Sequence, residues 1–286
     1  MRSGVFTRQL SHASNVYEQN HGGPTGSHGP AGFGFPGLSR PKQGSWPTLV
    51  RRPTVTTMAL HPNGINHIAI ATTDIKVQIE FFTDVLGGEL KALYWMHGVA
   101  NTFHGFVELS GSCYIAFVQH PHNTTTRELG VTHAVNAGGA MPGGTMQHIA
   151  FNVDSLDDLY AMRDRIRSRG VAVIGPMNHG MCQSMYFAGP EGLCLEVATG
   201  GNIDERAWID PEVQALACIS EEEVARYVTP ATFERPATAV AQPPYDPAKP
   251  NLVYPPDRYR AMLAAPDEAF WNAVTSEPPV KVAANT

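Results

Sequence analysis

Apolar and polar positions alternate with period two through "HIAIA" (67–71) and through "HIAFNV" (148–153), and each run gives way to an apolar period of three to four residues. The first period predicts a strand and the second an amphipathic helix. In the first helical stretch Ile75, Ile79, Phe82 and Leu86 fall at i, i+4, i+7 and i+11; in the second, Leu159, Met162 and Ile166 fall at i, i+3 and i+7. An acid or hydroxyl cap precedes each helix and a glycine follows it, so each helix packs by one face. Three strand-like runs come after each: "LKALYWM", "TFHGFVEL" and "CYIAFVQ", then "VAVIG", "SMYFAG" and "LCLEVAT". The chain therefore repeats one βαβββ plan, with His67 and His148 at equivalent places 81 positions apart (148 − 67). The expected fold class is α+β, two paired βαβββ modules.

The flanks break this pattern. Residues 1–57 are rich in Gly, Pro, Ser and His and show no sustained period, so they are expected to be disordered. Whether they are a transit segment, suggested by Arg2, Arg8, Arg40, Arg51 and Arg52, or a tail upstream of a start at Met58 stays open. The modules are assigned to 58–200. In 201–286, "SEEEVARYV" carries a capping box, Ser220 with Glu223, and reads as a short helix after "PEVQALA". Eight later prolines, from Pro230 to Pro256, predict an arm without regular elements that wraps the domain or a partner subunit.

Composition narrows the function. The chain has 286 residues, 43% of them hydrophobic, and a net charge of −6. That balance argues against binding nucleic acid or an anionic membrane surface. No apolar run is long enough to span a bilayer, and four cysteines without C-x-x-C spacing suit a reducing compartment, so a cytoplasmic protein with buried thiols is expected.

Alternation also sorts the chemistry. Ile68 and Ile70 point toward the helix and His67, Ala69 and Ala71 away from it; Ile149, Phe151 and Val153 point inward and His148, Ala150 and Asn152 outward. In the last strand Leu193, Leu195 and Val197 are core-like, which leaves Glu196 on the outer face between Cys194 and Ala198. Polar groups flanked by small residues have the composition of a lined cavity. Two histidines and a carboxylate form the set that binds a divalent metal on one side and leaves positions open for substrate or oxygen, so His67, His148 and Glu196 are the candidate metal ligands. "GPEG" (189–192) reads as a hairpin turn that positions Glu196. His97, His104, His120 and His122 read as solvent-facing or rim residues. Trp95, Met96, Phe103, Met141 and Met185 suit either a pocket wall or the core.

"NHIAI", "QHIAF" and "SMYFAGPEGLCLEVAT" resemble the vicinal-oxygen-chelate superfamily over roughly residues 60–200. That superfamily includes glyoxalase I, fosfomycin-resistance transferases, bleomycin-binding proteins and extradiol ring-cleaving dioxygenases. The resemblance implies a cradle of paired modules around a divalent ion held by His67, His148 and Glu196. Ala116 aligns with Glu196, so the fourth ligand of the isomerase pattern is absent. Similarity to the extradiol dioxygenases implies a catalytic role for His133, fifteen positions before His148, and for Tyr186, ten before Glu196. A further histidine of those enzymes maps to Met177, with His179 as the nearby substitute.

The implied function is an Fe(II)-dependent dioxygenase of aromatic catabolism acting on a catechol-like ring with O₂. His133 would exchange protons and Tyr186 would donate a hydrogen bond to developing oxyanion charge. The alternatives are a redox-neutral isomerase, lyase or thiol transferase using Mn²⁺, Ni²⁺ or Zn²⁺, and a metal-free small-molecule binding protein. Members of the superfamily often pair, so a homodimer is compatible with the sequence.

Overall fold

A computed structural model of the chain describes residues 60–200, 203–204, 206–274 and 276–281. The expected disordered segment, 1–57, lies outside them. The first module runs β1 (His67–Ala71), α1 (Ile75–Glu80), a π turn (Phe81–Val85), β2 (Glu89–Trp95), β3 (Phe103–Ser110) and β4 (Cys113–Gln119). The second runs β5 (Ile149–Asn152), α2 (Leu156–Ser168), β6 (Val173–Asn178), β7 (Gln183–Ala188), a 3₁₀ turn (Pro190–Gly192) and β8 (Cys194–Thr199). The two sheets share one topology, β1-β4-β3-β2 and β5-β8-β7-β6. In each, the first strand pairs in parallel with the last and the other pairs are antiparallel. This is the duplicated α+β plan expected from the period analysis.

Both helices start as their sequences dictate. The Asp74 carboxylate accepts from the N–H groups of Lys76 and Val77, and the Ser155 hydroxyl from that of Asp158. In α2 the fully buried residues are Leu159 and Ile166, with Met162 at the flank, as the stripe predicts. The first helix departs from its stripe: Ile75, Gln78, Phe82 and Val85 are buried, while Ile79 and Leu86 only border the core. For Leu86 the cause is the π turn, in which its N–H bonds to Phe81 C=O; the wider i→i+5 turn rotates the side chains at its end, bringing Val85 inward.

The modules share a core. Phe82 stands edge-on to Phe117 at 5.1 Å and to Phe151 of the other module at 6.0 Å. Arg165 of α2 donates from Nε to Val85 O and from Nη2 to Asp84 O, each at 2.9 Å, so a guanidinium caps the C-terminal carbonyls of the first helix.

Beyond the modules lie α3 (Pro211–Leu216) and α4 (Glu221–Val228), the latter with the expected Ser220–Glu223 capping box. The arm after them does not lack regular elements: α5 (Pro256–Ala264) and α6 (Asp267–Val274) form within it. Pro256 opens α5 at a first-turn position, where a missing N–H costs nothing, so this proline starts a helix. Among the described residues no helix is long and apolar enough to cross a membrane. The expectation of four buried thiols fails: Cys113, Cys182 and Cys194 are half-buried, and Cys218 is exposed.

Candidate metal centre

Strand pairing sets Tyr186 on β7 directly opposite Glu196 on β8, and Glu196 opposite Ala150 on β5. These residues share one face of the second sheet with His148, which precedes β5. Glu196 is buried, 5% exposed. Its Oε2 lies 2.9 Å from His148 Nε2. Ser184, two positions before Tyr186 on the same face, donates to the Tyr186 oxygen at 3.1 Å, and the same oxygen lies within hydrogen-bond reach of His179 Nε2 at 3.2 Å. The second module thus gathers His148, Glu196, Tyr186 and His179. Burial pushes the Tyr186 phenol above its ordinary value; the Ser184 hydroxyl opposes the shift and the neighbouring Glu196 carboxylate adds to it.

The two repeat histidines are oriented in the same way. His67 Nδ1 bonds to Asn66 Oδ1 at 2.8 Å, and His148 Nδ1 bonds to Gln147 Oε1. An amide oxygen only accepts, so each ring carries its hydrogen on Nδ1 and, when neutral, presents a lone pair at Nε2. For His148 that lone pair faces a buried carboxylate. Two electron-rich atoms so placed call for a positive charge between them, either the proton of an imidazolium or a cation. Cis donors each about 2.1 Å from one ion stand about 3 Å apart, close to the observed separation. The pair therefore fits a divalent metal in donor type and spacing.

The third expected ligand stands apart. Among the described residues no three His, Cys, Asp or Glu side chains are close enough to hold one metal ion. His67 is exposed on β1, its ring 5.4 Å from that of Phe106, and it has no place beside His148 and Glu196 in this arrangement. Where Glu196 and Tyr186 sit in the second sheet, the matching lattice points of the first carry Ala116 and Phe106, paired across β4 and β3. The lined cavity expected on this face is open, with Ala69, Ala71, Ala150 and Asn152 all exposed.

His133 lies elsewhere, in the linker between β4 and β5, with Nδ1 bonded to Thr132 Oγ1 at 2.9 Å, and it lines a separate polar cavity. His104 is not a rim residue. It is half-buried, with Nδ1 on Tyr94 OH at 3.2 Å, Nε2 without a hydrogen-bond partner, and its ring 4.6 Å from Phe106. Burial, reinforced by His67 and His97, lowers its pKa. Of the proposed pocket-or-core residues, Met185 is fully buried while Trp95 is 62% exposed.

Sequence reasoning missed Glu191. Its Oε1 accepts from Thr73 N at 2.8 Å and Thr73 Oγ1 at 2.5 Å, and its Oε2 from Gln78 Nε2 at 2.8 Å. A turn residue of the second module is thereby bonded to the start of the first helix. Only a buried glutamine inside an apolar stripe hinted at such a partner.

The family model for the Glyoxalase/Bleomycin resistance protein/Dioxygenase superfamily matches residues 64–197. Biphenyl-2,3-diol 1,2-dioxygenase 2 of Rhodococcus globerulus is 30% identical over 94 residues, which are 33% of this chain and 48% of that protein. Biphenyl-2,3-diol 1,2-dioxygenase 3 of the same organism is 23% identical over 136 residues, 46% of this chain and 60% of that one. The chain thus spans about half the length of the curated relatives it matches. Among solved structures, a glyoxylase/bleomycin resistance protein/dioxygenase domain from Frankia sp. EAN1pec is 17% identical, with 49% of this chain and 100% of that one covered at a TM-score of 0.41. The fosfomycin resistance protein FosX of Listeria monocytogenes, complexed with Mn(II) and sulfate, is 18% identical, with 51% and 99% covered at a TM-score of 0.36. With its two βαβββ modules and this match, the domain at residues 64–197 belongs to the glyoxalase/bleomycin resistance/dioxygenase superfamily.

Proposed function

We propose that the chain is a non-haem, divalent-metal-dependent dioxygenase of the extradiol type, with His148 and Glu196 as the donors to an Fe(II) ion and a catechol-like aromatic as substrate. The observation that carries this reading is His148 Nε2 held 2.9 Å from a buried carboxylate. The partial likeness to two biphenyl-2,3-diol dioxygenases supports the substrate class. When bound, the ion would supply Lewis acidity and a place for O₂ beside the ring.

The protein's own groups do the rest. Gln147 fixes the tautomer of His148, and Asn66 that of His67. Tyr186, protonated throughout the neutral range, donates to a substrate oxygen as negative charge develops there. His179, hydrogen-bonded to the same hydroxyl, passes the proton between Tyr186 and solvent.

The test is metal analysis of full-length protein reconstituted with Fe²⁺, followed by oxygen-electrode assays with catechol and biphenyl-2,3-diol. The expected result is stoichiometric iron, ring-dependent oxygen uptake, and loss of both in Glu196→Ala. Protein that retains no metal, or turnover that continues under argon, would refute the reading. The second outcome points to a redox-neutral enzyme using Mn²⁺, Ni²⁺ or Zn²⁺.

A further inference from the structure

A second cavity, of about 500 Å³, lies where the linker between β4 and β5 crosses the end of β1. Its walls are rich in hydrogen-bond donors: the Thr124–Thr126 hydroxyls and Arg127 from the linker, with His133 close by. Asn123 secures the linker, its Nδ2 donating to Thr72 O at 2.8 Å and to Val118 O at 2.9 Å.

Arg127 is held in place without being neutralised. Its side chain lies across the bare Cα of Gly192, where a Cβ would meet Arg127 Cδ at 2.6 Å and Nη1 at 2.7 Å. Gly192 has φ +81°, so glycine suits the site for two separate reasons. Among the described residues Arg127 makes no ion pair or hydrogen bond. Glu191 also lines the cavity, but its oxygens already accept from Thr73 and Gln78. The group left facing the space with unused capacity is a five-donor cation beside three hydroxyls.

We propose that this cavity binds the oxyanion group, carboxylate or phosphate, of a small molecule, with Arg127 as its charged anchor and the Thr124–Thr126 hydroxyls as flanking donors. A planar guanidinium meets two oxygens of such a group at once, and the hydroxyls complete its coordination. The volume falls in the range of small-molecule sites, about 300–1,000 Å³. The site uses neither His148 nor Glu196, so it stands or falls independently of the metal reading.

Isothermal titration of the full chain at low ionic strength with inorganic phosphate and with succinate, using sodium chloride as control, tests the site. One saturable event with either anion is expected, weakened about tenfold or more in Arg127→Ala. A preference for phosphate assigns a phosphorylated ligand, and a preference for succinate a carboxylate. Gly192→Ala, which displaces the guanidinium without touching the ligand, is expected to weaken binding as well. Because Arg127 is exposed, Arg127→Ala should keep the wild-type circular dichroism and Tm. No saturable heat with either anion, or unchanged binding in a folded Arg127→Ala, would overturn the proposal.

Discussion

Gln78, buried on the first helix, and Glu191, in the turn before β8, are joined by a 2.8 Å hydrogen bond across 113 positions of sequence. The same carboxylate takes two hydrogen bonds from Thr73. Burial raises its pKa, but the hydrogen bonds from Thr72, Thr73 and Gln78 prevail and hold it below the ordinary 4.5. A carboxyl with a depressed folded-state pKa stabilises the fold above its ordinary value, and that contribution is lost as pH falls through the folded value. Glu191→Gln is therefore expected to lower Tm at pH 7, and the gap from wild type should close below about pH 4.5. Glu191→Ala, which strands the Thr73 and Gln78 donors, should cost about 2 kcal/mol in urea unfolding. A pH-independent gap would show that the charge is irrelevant.

Arg165 is another tie between the modules. Arg165→Ala leaves the carbonyls of Asp84 and Val85 without their guanidinium and should destabilise the chain by about 1 kcal/mol, a modest figure because the side chain is exposed. Arg165→Lys should recover only part of this, since one ammonium cannot reach both carbonyls in the same geometry. Equal Tm values for all three proteins would contradict the assignment.

The amides beside the two histidines separate the donors experimentally. Gln147→Ala frees the His148 ring and is expected to weaken metal affinity about tenfold while leaving Tm near wild type. Asn66→Ala, beside the His67 that stands apart from this pair, is expected to leave metal affinity unchanged. Competition titration with a chelating dye checks both variants, and equal weakening in the two would return His67 to the donor set.

Tyr186→Phe keeps the ring and removes the hydroxyl. The expected loss is about tenfold to a hundredfold in kcat with little change in KM, because the hydrogen bond matters most as charge develops. The Tyr186 pKa is raised in the fold, so the phenol favours folding below its ordinary value near 10, and that contribution fades as pH climbs through the folded value. Ultraviolet titration of tyrosinate should show the component missing in Tyr186→Phe ionising above pH 10. Ionisation at or below that value would sink the assignment.

The duplicated plan was legible because it rests on local periods: two for the strands, 3.6 for the helices, and caps at Asp74 and Ser155. Glu196 was legible because strand alternation fixes its face, and Tyr186 only through the spacing that the family resemblance implies. What stayed hidden depended on distant partners. Nothing within residues 75–86 announces the π turn that brings Val85 inward in place of Leu86. Glu191 reads as a turn residue until Gln78 is seen below it. The separation of His67 from His148 reflects how the two sheets sit together, which no single strand records. Pro256 misled because a proline that ends one helix can also begin another.

The parallel pairing inside each sheet has a temporal consequence. His67 on β1 lies opposite Tyr114 of β4, 47 positions later (114 − 67), and Ile149 on β5 lies opposite Leu195 of β8, 46 later (195 − 149). At roughly 5–20 residues per second on the ribosome, each leading strand waits some seconds for the neighbour that will hold it. The histidine-bearing border of each half is thus set last during synthesis, and a nascent chain halted before Thr199 would carry one finished sheet and one frayed one.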